Sequence, residues 1–543
     1  MTRHETVLGK AIVAMRLRIA VIVALALSVT ACATQTTNPS DGSLDPDGAR
    51  RVFAAGYNHV QTKYIDPVDL RAVAVDGLKG LSTFEPALAV VNDGHWVQVT
   101  LDRQQVLRVS EPAPEDAEAW GSLVASALVR SRNASGKLAA ANGEELVATV
   151  FNKGLVHLDA PSRYSTPEQA ERARAARHGF GGVGLTVRAP EPHEQPGIHI
   201  VEVIPETPAE RARLRANDRI VRIDGESVIG RSVEDVTGRL RGLTGTVVRV
   251  SVVRDNAEPF ELSITRAHIL PPSVTYTRDD SIAILTISRF NQGTTRSFIR
   301  TLRQAQREIG PGLSGYVLDL RGNPGGLLDQ STAIANLFLD GGLILTTEGR
   351  SSAARQRFEA IGNDIATGLP LAVLINGRSA SAAEVLATAL QDRSRAIVIG
   401  STSYGKGSVQ TVVALPNSGE LTLTWSRFYS PAGNVIDGFG VRPDICTSTG
   451  PGAQGDLDGV LRTLRADIVV SAGYRRMAPN PKDLEALRRD YRASCPPGNV
   501  EPEADITLAK RLINDRNLYA RAVAEAHPGT TAAFLGQRAV VGR

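Results

Sequence analysis

Residues 371–400 read LAVLINGRSASAAEVLATALQDRSRAIVIG. The stretch is an apolar run, a loop of small residues, a helical segment and a second apolar run. The same rhythm extends upstream through IAILTI, TTRSFIRTLRQAQREI, YVLDL and LLDQSTAIANLFL, filling the chain from Ile282 to Ile445. Repeated strand-helix units predict an α/β layer in which helices cover a largely parallel sheet. Chemistry in such folds sits at strand ends.

Three loops at these strand ends hold unusual residues. The first, Leu320-Arg321-Gly322-Asn323-Pro324-Gly325-Gly326, has glycines that reach backbone conformations closed to other residues. A tight turn accounts for it, and so does a set of N–H groups turned into a cavity as an oxyanion hole. In the second, Asn376 to Glu384, Ser381 and Glu384 have capping-box spacing, which starts a helix without any catalysis. The same hydroxyl at a helix N-terminus also stands where free N–H groups and the helix dipole stabilise an oxyanion. The third, Tyr404-Gly405-Lys406-Gly407-Ser408-Val409-Gln410, sets a lysine between glycines but lacks the spaced upstream glycine of a phosphate loop. A solvated surface lysine is the plain alternative. Read as a strand, the segment puts Lys406, Ser408 and Gln410 on one face, so that Gln410 orients the lysine. None of these loops contains a histidine, which favours a Ser-Lys pair over a Ser-His-Asp triad. A lysine base must be neutral, so its ordinary pKa of about 10.4 has to be lowered by burial.

Between Gly181 and Ala267 short alternating strands (GVGLTV, IHIVEVI, DRIVRIDG, VVRVSVVR, FELSITR) are interrupted by two helical pieces. This predicts a small module whose free sheet edge accepts an added peptide strand, the alternative being an inert structural module. The series Pro205-x-x-Pro208-Ala209, Leu214, Asp218-Arg219-Ile220-Val221-x-Ile223-Asp224-Gly225 resembles the signature of circularly permuted bacterial PDZ domains. That resemblance implies that backbone N–H groups of Gly182, Val183, Gly184 and Leu185 receive a substrate's terminal carboxylate.

In their order the three loops resemble those of the C-terminal processing proteases, also called tail-specific or carboxy-terminal processing peptidases, over residues 145 to 446. The resemblance implies Ser381 as nucleophile, Lys406 as general base and Gln410 as the residue that orients it. It also implies an oxyanion hole from Gly326 and Ala382; Asp392 matches a conspicuous position of the family motif and reads as structural support. The fold it implies is multidomain α/β: a crotonase/ClpP-like catalytic core with an inserted PDZ domain, a helical N-terminal region and a helical C-terminal extension. The expected divisions are a lipoprotein signal peptide (1–31), a flexible tether (32–50) and a mainly helical region (51–181). They continue with the PDZ domain (182–267), the protease core (268–446) and the C-terminal extension (447–543). Leu158-Asp159-Ala160-Pro161-Ser162-Arg163-Tyr164 is an altered form of a stretch the family carries before its PDZ domain, and residues 85–145 read as an insertion.

The activity so implied is that of a serine endopeptidase that needs no cofactor or metal and cleaves exported proteins bearing apolar C-terminal tails. An adaptor protein, self-association and a PDZ domain that gates the cleft belong to the same expectation. Two rivals stand beside it. One is a catalytically silent scaffold that binds tails in the cell envelope. The other is an acyl-CoA enzyme, since a Gly-Gly oxyanion loop in a β-α core also resembles the crotonase architecture.

The chain has 543 residues, too many for one core, and its 42% hydrophobic and 22% charged content is that of globular proteins. Near its start Arg16 and Arg18 precede an apolar run from Ile19 to Leu27 that is short for a bilayer span, followed by small residues and Cys32. The site resembles a bacterial lipobox with Cys32 as the lipidated residue, and Met15 opens a segment that is by itself a complete signal of this kind. A plain signal peptide or an uncleaved anchor is the alternative. Removing residues 1–31 takes away Arg3, Lys10, Arg16 and Arg18 against Glu5 and lowers the formal net charge from +4 to +1, leaving no nucleic-acid signal. With Cys32 committed to lipid, Cys446 and Cys495 remain as a pair in an oxidising compartment. The expected location is the periplasmic side of the cell envelope, on the outer membrane, because Ala33 is not acidic.

Overall fold

The computed structural model describes residues 45–449 apart from 256, residues 456, 458 and 459, and residues 481–498 and 503–527. The expected signal segment, Cys32 and the tether up to residue 44 lie outside the described residues. The tether does not reach residue 50, because helix α1 (Pro46–Lys63) begins inside it. Asp45 accepts the N–H groups of Asp47 and Gly48, and Pro46 occupies the first turn, where its missing N–H costs nothing.

The N-terminal unit continues with α2 (Leu70–Lys79), an antiparallel meander of β1 (Leu88–Asn92), β2 (Trp96–Leu101) and β3 (Gln104–Ser110), then α3 (Ala117–Ala134) and α4 (Gly143–Leu155). Helices α1 and α3 meet at Gly121, where a Cβ would stand 2.4 Å from the Ala54 nitrogen. Residues 85–145 are no appendage. Their Leu88, Val97, Trp120 and Val124 share one core with Phe53, Tyr57 and Phe151, as apolar faces at strand and helix periods require. Strand β4 (Arg163–Ser165) and helix α5 (Pro167–His178), started by a Thr166–Gln169 capping box, lead out of this unit.

The next unit comprises β5 (Phe180–Gly182), β6 (Leu185–Arg188), β7 (Ile198–Val203), β8 (Arg219–Ile223), β9 (Glu226–Ser227), α6 (Val233–Leu240), β10 (Val247–Val253) and β11 (Phe260–Thr265). Its sheet runs β11-β10-β8-β7-β6, with β9 on β8, and leaves β6 at an edge that α6 contacts. Strand β12 (Ala267–Ile269) then pairs with β5, Ala267 opposite Gly182, so the chain leaves and returns through two adjacent strands.

The last unit is the α/β layer. In chain order it holds β13 (Val274–Asp279), β14 (Ile282–Ile287), α7 (Thr294–Ile309), β15 (Gly315–Asp319), α8 (Leu328–Asn336), β16 (Gly342–Glu348), β17 (Gln356–Ala360) and β18 (Leu371–Ile375). There follow α9 (Ala382–Asp392), β19 (Ile397–Gly400), β20 (Ser408–Ala414), β21 (Glu420–Tyr429) and β22 (Ile445–Cys446). The central sheet has the order β13-β14-β15-β18-β19-β22, parallel from β14 onward. Every residue of β15 and β18 is buried, as expected of strands covered on both faces. On one face Leu285, Leu318, Val373 and Val398 pack with Phe298, Ile334 and Leu386 of helices α7, α8 and α9. On the other, Ile284, Val317, Leu374 and Ile399 meet Leu508, Leu512 and Ile513 of α11 (Glu503–Asn514) and Ala522 of α12 (Arg516–Ala526). The C-terminal region is therefore the second cover of the sheet rather than an added layer on a finished body. Helix α10 (Pro481–Ala493) of the same region lies beside the loops described below. A smaller sheet, β17-β16-β21-β20, takes β4 onto β21 and so joins the N-terminal unit to the α/β layer.

Candidate active site

The loop after β18 begins by spending its first serine on structure. The Ser379 hydroxyl donates to the Leu320 carbonyl (2.8 Å) and accepts the Asn376 N–H (2.9 Å), and the residue is fully buried. Asn376 Oδ1 accepts the Gly322 N–H at 2.9 Å and Ala380 N–H donates to the Asn323 carbonyl at 2.9 Å, which locks this loop to the one after β15. Ser381 comes next, partly exposed, as N-cap of α9 with Glu384 at the third helical position, in capping-box arrangement. Its backbone is not that of an ordinary cap. An N-cap lies in the β region, whereas Ser381 has φ 55° and ψ −116°, a strained conformation for a residue with a Cβ.

Gly325 fits against this turn, with φ +96° and a position where a Cβ would lie 2.8 Å from Ser381 Cβ and 3.0 Å from the Ala382 nitrogen. The Gly325 N–H donates to Asn323 Oδ1 at 2.8 Å, and Phe290 brackets the pair by donating to Gly325 O (3.0 Å) and accepting the Leu327 N–H (2.9 Å). Among the described residues neither the Gly326 nor the Ala382 N–H has a hydrogen-bond partner. The loop is anchored from below by Arg321. Its guanidinium holds Asp319 at 2.7 and 2.9 Å and reaches Asp505 of α11 at 3.2 Å, all three side chains being nearly buried.

Glu384 joins the serine loop to the lysine loop, a link that spacing alone did not reveal. Its Oε2 accepts the N–H of Ser381 at 2.7 Å and that of Lys406 at 2.9 Å, while Oε1 accepts the Gly405 N–H at 2.7 Å and the Ser403 hydroxyl. One oxygen thus bridges the two backbones. Burial pushes the Glu384 carboxyl up, and the four donors draw it back. The sequence signal was available: a lone carboxylate inside the apolar helix AAEVLATAL.

Lys406 is partly buried, and among the described residues it has no ion pair. Burial holds its ammonium below the ordinary lysine pKa; Arg163 pushes the same way, and Glu384 and Asp159 oppose them. Arg163 and Asp159 belong to the altered stretch before the PDZ-like unit, which therefore stands close to the lysine. The expected strand through Lys406 is not formed, because β20 begins at Ser408 while the Lys406 N–H is drawn to Glu384. The expected contact between Gln410 and Lys406 is not made either. A bulge separates Val409 from Gln410, whose amide donates to Ser408 Oγ at 2.8 Å and lies 3.5 Å from Thr424 Oγ1. Behind the lysine loop, Arg492 of α10 donates to the carbonyls of Ser403, Tyr404 and Phe439, each at 3.2 Å. Just past α10, Cys495 is disulfide-bonded to Cys446 at the end of β22. Asp392 accepts the Ser430 hydroxyl and the Ala432 N–H, tying the end of α9 to the turn after β21.

In the PDZ-like unit Gly182 ends β5, Val183 is buried, Gly184 has φ +91° and Leu185 begins edge strand β6. The carbonyls of Val183 and Gly184 accept the N–H groups of Ala209 (2.8 Å) and Ile204 (3.0 Å). Among the described residues the N–H groups of Val183 and Gly184 carry no partner.

Residues 281–447 match the model of peptidase family S41, and residues 173–253 match that of the PDZ domain. The carboxy-terminal-processing protease of Bartonella bacilliformis is 38% identical over 305 residues, covering 56% of this chain and 69% of that protein. The carboxyl-terminal-processing protease of a Picosynechococcus species is 33% identical over 300 residues, 53% of this chain and 70% of that protein. Among solved structures, a photosystem II D1 C-terminal processing protease is 26% identical with a TM-score of 0.37, covering 77% of this chain and 97% of that one. The chain belongs to peptidase family S41, as a PDZ-bearing serine peptidase of the carboxy-terminal-processing kind.

Proposed function

We propose that this peptidase works through a Ser-Lys pair, Ser381 attacking the scissile carbonyl as uncharged Lys406 takes its proton. The observation that carries the reading is the Glu384 oxygen that accepts both the Ser381 and the Lys406 N–H groups and so holds nucleophile and base in one frame. The strained Ser381 turn and the depressed Lys406 pKa support it. The Gly326 and Ala382 N–H groups receive the oxyanion. Lys406, now protonated, passes the proton to the leaving amine, and water then repeats the sequence on the acyl-enzyme. Gln410 acts at one remove, by fixing Ser408 at the start of β20.

The PDZ domain selects the substrate by its C-terminal tail. The unpartnered N–H groups at Val183 and Gly184 take the carboxylate, and the tail adds a strand to the edge of β6. On the leader sequence alone, we place the enzyme on the periplasmic side of a bacterial envelope, held there by lipid on Cys32.

The test uses an unfolded protein with an apolar tail, incubated with wild type, Ser381→Ala and Lys406→Ala. Cleavage by wild type alone is expected, and equal cleavage by all three would overturn the assignment. A matched substrate with a charged tail should show a lower kcat/KM. Equal values would remove tail selection from the reading.

A further inference from the structure

Helix α7 bears Arg296, Arg300, Arg303 and Arg307, all exposed. At about 100° per residue the four lie in a band about 60° wide and about 16 Å long, opposite the buried Phe298, Leu302 and Ala305. Like charges three and four residues apart weaken a helix. Solubility does not call for them, since the chain carries 61 basic and 57 acidic residues that could alternate along this face. Beside the row runs a groove of about 630 Å³ whose walls also include Gln292 and Gln330. It starts next to the oxyanion loop, because Gln292 lies two residues beyond Phe290, which brackets Gly325 and Leu327.

One carboxylate already sits in the row. Glu206, from the PDZ domain, accepts Arg300 Nη1 at 3.0 Å. Among the described residues Arg296, Arg303 and Arg307 have no ion pair. Two acids adjacent in sequence to residues of the row and its groove are otherwise engaged: Asp329 accepts from the Gln330 amide and Glu308 from that of Gln304, both at 2.9 Å.

We infer that the row and its groove form a docking site for an acidic, extended segment of a protein substrate. That the segment belongs to a substrate rests on the peptidase reading above; that the site takes an acidic peptide does not. Successive arginines step along the helix by about 4.5–6 Å, and every second side chain of an extended peptide by about 6.6 Å. Acidic residues at alternate positions therefore meet successive guanidinium forks, which suit carboxylates in pairs of hydrogen bonds. The recess, with Gln292 on its wall, suits an extended peptide better than a flat anionic lipid surface. A docked segment competes with Glu206 for Arg300.

Binding is measured with the full chain carrying Ser381→Ala, so that nothing is cleaved. The probe is a fluorescein-labelled peptide of alternating Glu and Gly, amidated at its C-terminus to give the PDZ domain no carboxylate, followed by anisotropy. Expected are saturable binding that weakens with ionic strength, a loss of roughly tenfold or more in Arg303→Gln/Arg307→Gln, and tighter binding in Glu206→Gln. Melting curves check that the variants fold. A matching Lys-Gly peptide should not bind. Absence of salt-sensitive binding, or binding that the double variant retains, overturns the proposal. Arginine-dependent capture of phosphatidylglycerol vesicles without peptide binding overturns it in favour of a lipid surface. Failure of the peptidase reading would appear separately, as a wild type that cleaves nothing.

Discussion

Glu384 has no exposed surface and sits in α9 among Ala382, Ala383, Val385 and Leu386. Its desolvation is offset in part by four donors, two of which belong to the residues we assign to chemistry. Glu384→Gln replaces one acceptor oxygen with an NH2 group that faces other donors. A shift of the frame by even an ångström should lower kcat/KM by about 10²-fold, with a destabilisation of about 1–3 kcal/mol visible in a melting curve. Unchanged kinetics would show that the frame is held elsewhere. Lys406 makes a prediction of opposite sign for stability. Its folded pKa lies below the unfolded value of about 10.4, so below the folded pKa the native state carries a penalty that fades as pH rises toward the unfolded one. Lys406→Met should therefore abolish cleavage yet melt above wild type at neutral pH, the gap closing in alkali. Wild-type kcat/KM should rise with pH and level off below the ordinary lysine range. Ser381 and Lys406 are not singled out by their own loops, since a helix cap and a surface lysine explain them one at a time; the three loops in their order single them out. Glu384 shows only as a lone carboxylate in an apolar helix, which cap spacing suffices to explain, and its second attachment lies 22 residues away, beyond local reading.

Among elements, α10 shows how a segment outside the matched family region serves the site. Arg492 caps three carbonyls around the lysine loop, and the Cys446–Cys495 bond, spanning a sequence separation of 49, secures the turn after α10. Closing a loop of that length is worth about 4 kcal/mol by chain entropy. The double variant Cys446→Ser/Cys495→Ser should unfold at correspondingly lower urea, and the protein still folded should cleave more slowly because α10 is freer to withdraw Arg492. Equal activity would confine the bond to stability. The helices of this region are legible from their amphipathic periods, but what they cover is not, because a period gives a face and never its partner. For the same reason residues 85–145 read as an insertion. The start of α1 was written in Asp45-Pro46, a cap followed by a first-turn proline, and a run of polar residues hid it.

For the molecule as a whole, the catalytic sheet is closed by chain that arrives late. Leu508, Leu512 and Ile513 are fully buried against it, and large aliphatic side chains are worth about 1.5–3 kcal/mol each on burial. Losing that cover consumes much of a typical stability of about 5–15 kcal/mol. A chain ending at residue 500 should therefore aggregate on size exclusion and show no cleavage, although it retains all of residues 281–447. A monodisperse, active truncation would refute this account of the second cover. The β-α rhythm announces the sheet and its first layer of helices, whereas the second layer, separated from it in sequence, becomes visible only in three dimensions. The separation also bears on timing during synthesis. A nascent chain that has emerged past Lys406 already contains every residue that we assign to the reaction, yet one face of their platform is still bare. On this account the platform is complete only once residues 503–526 have joined the sheet, so a chain still being made should cleave neither its neighbours nor its own unfolded length.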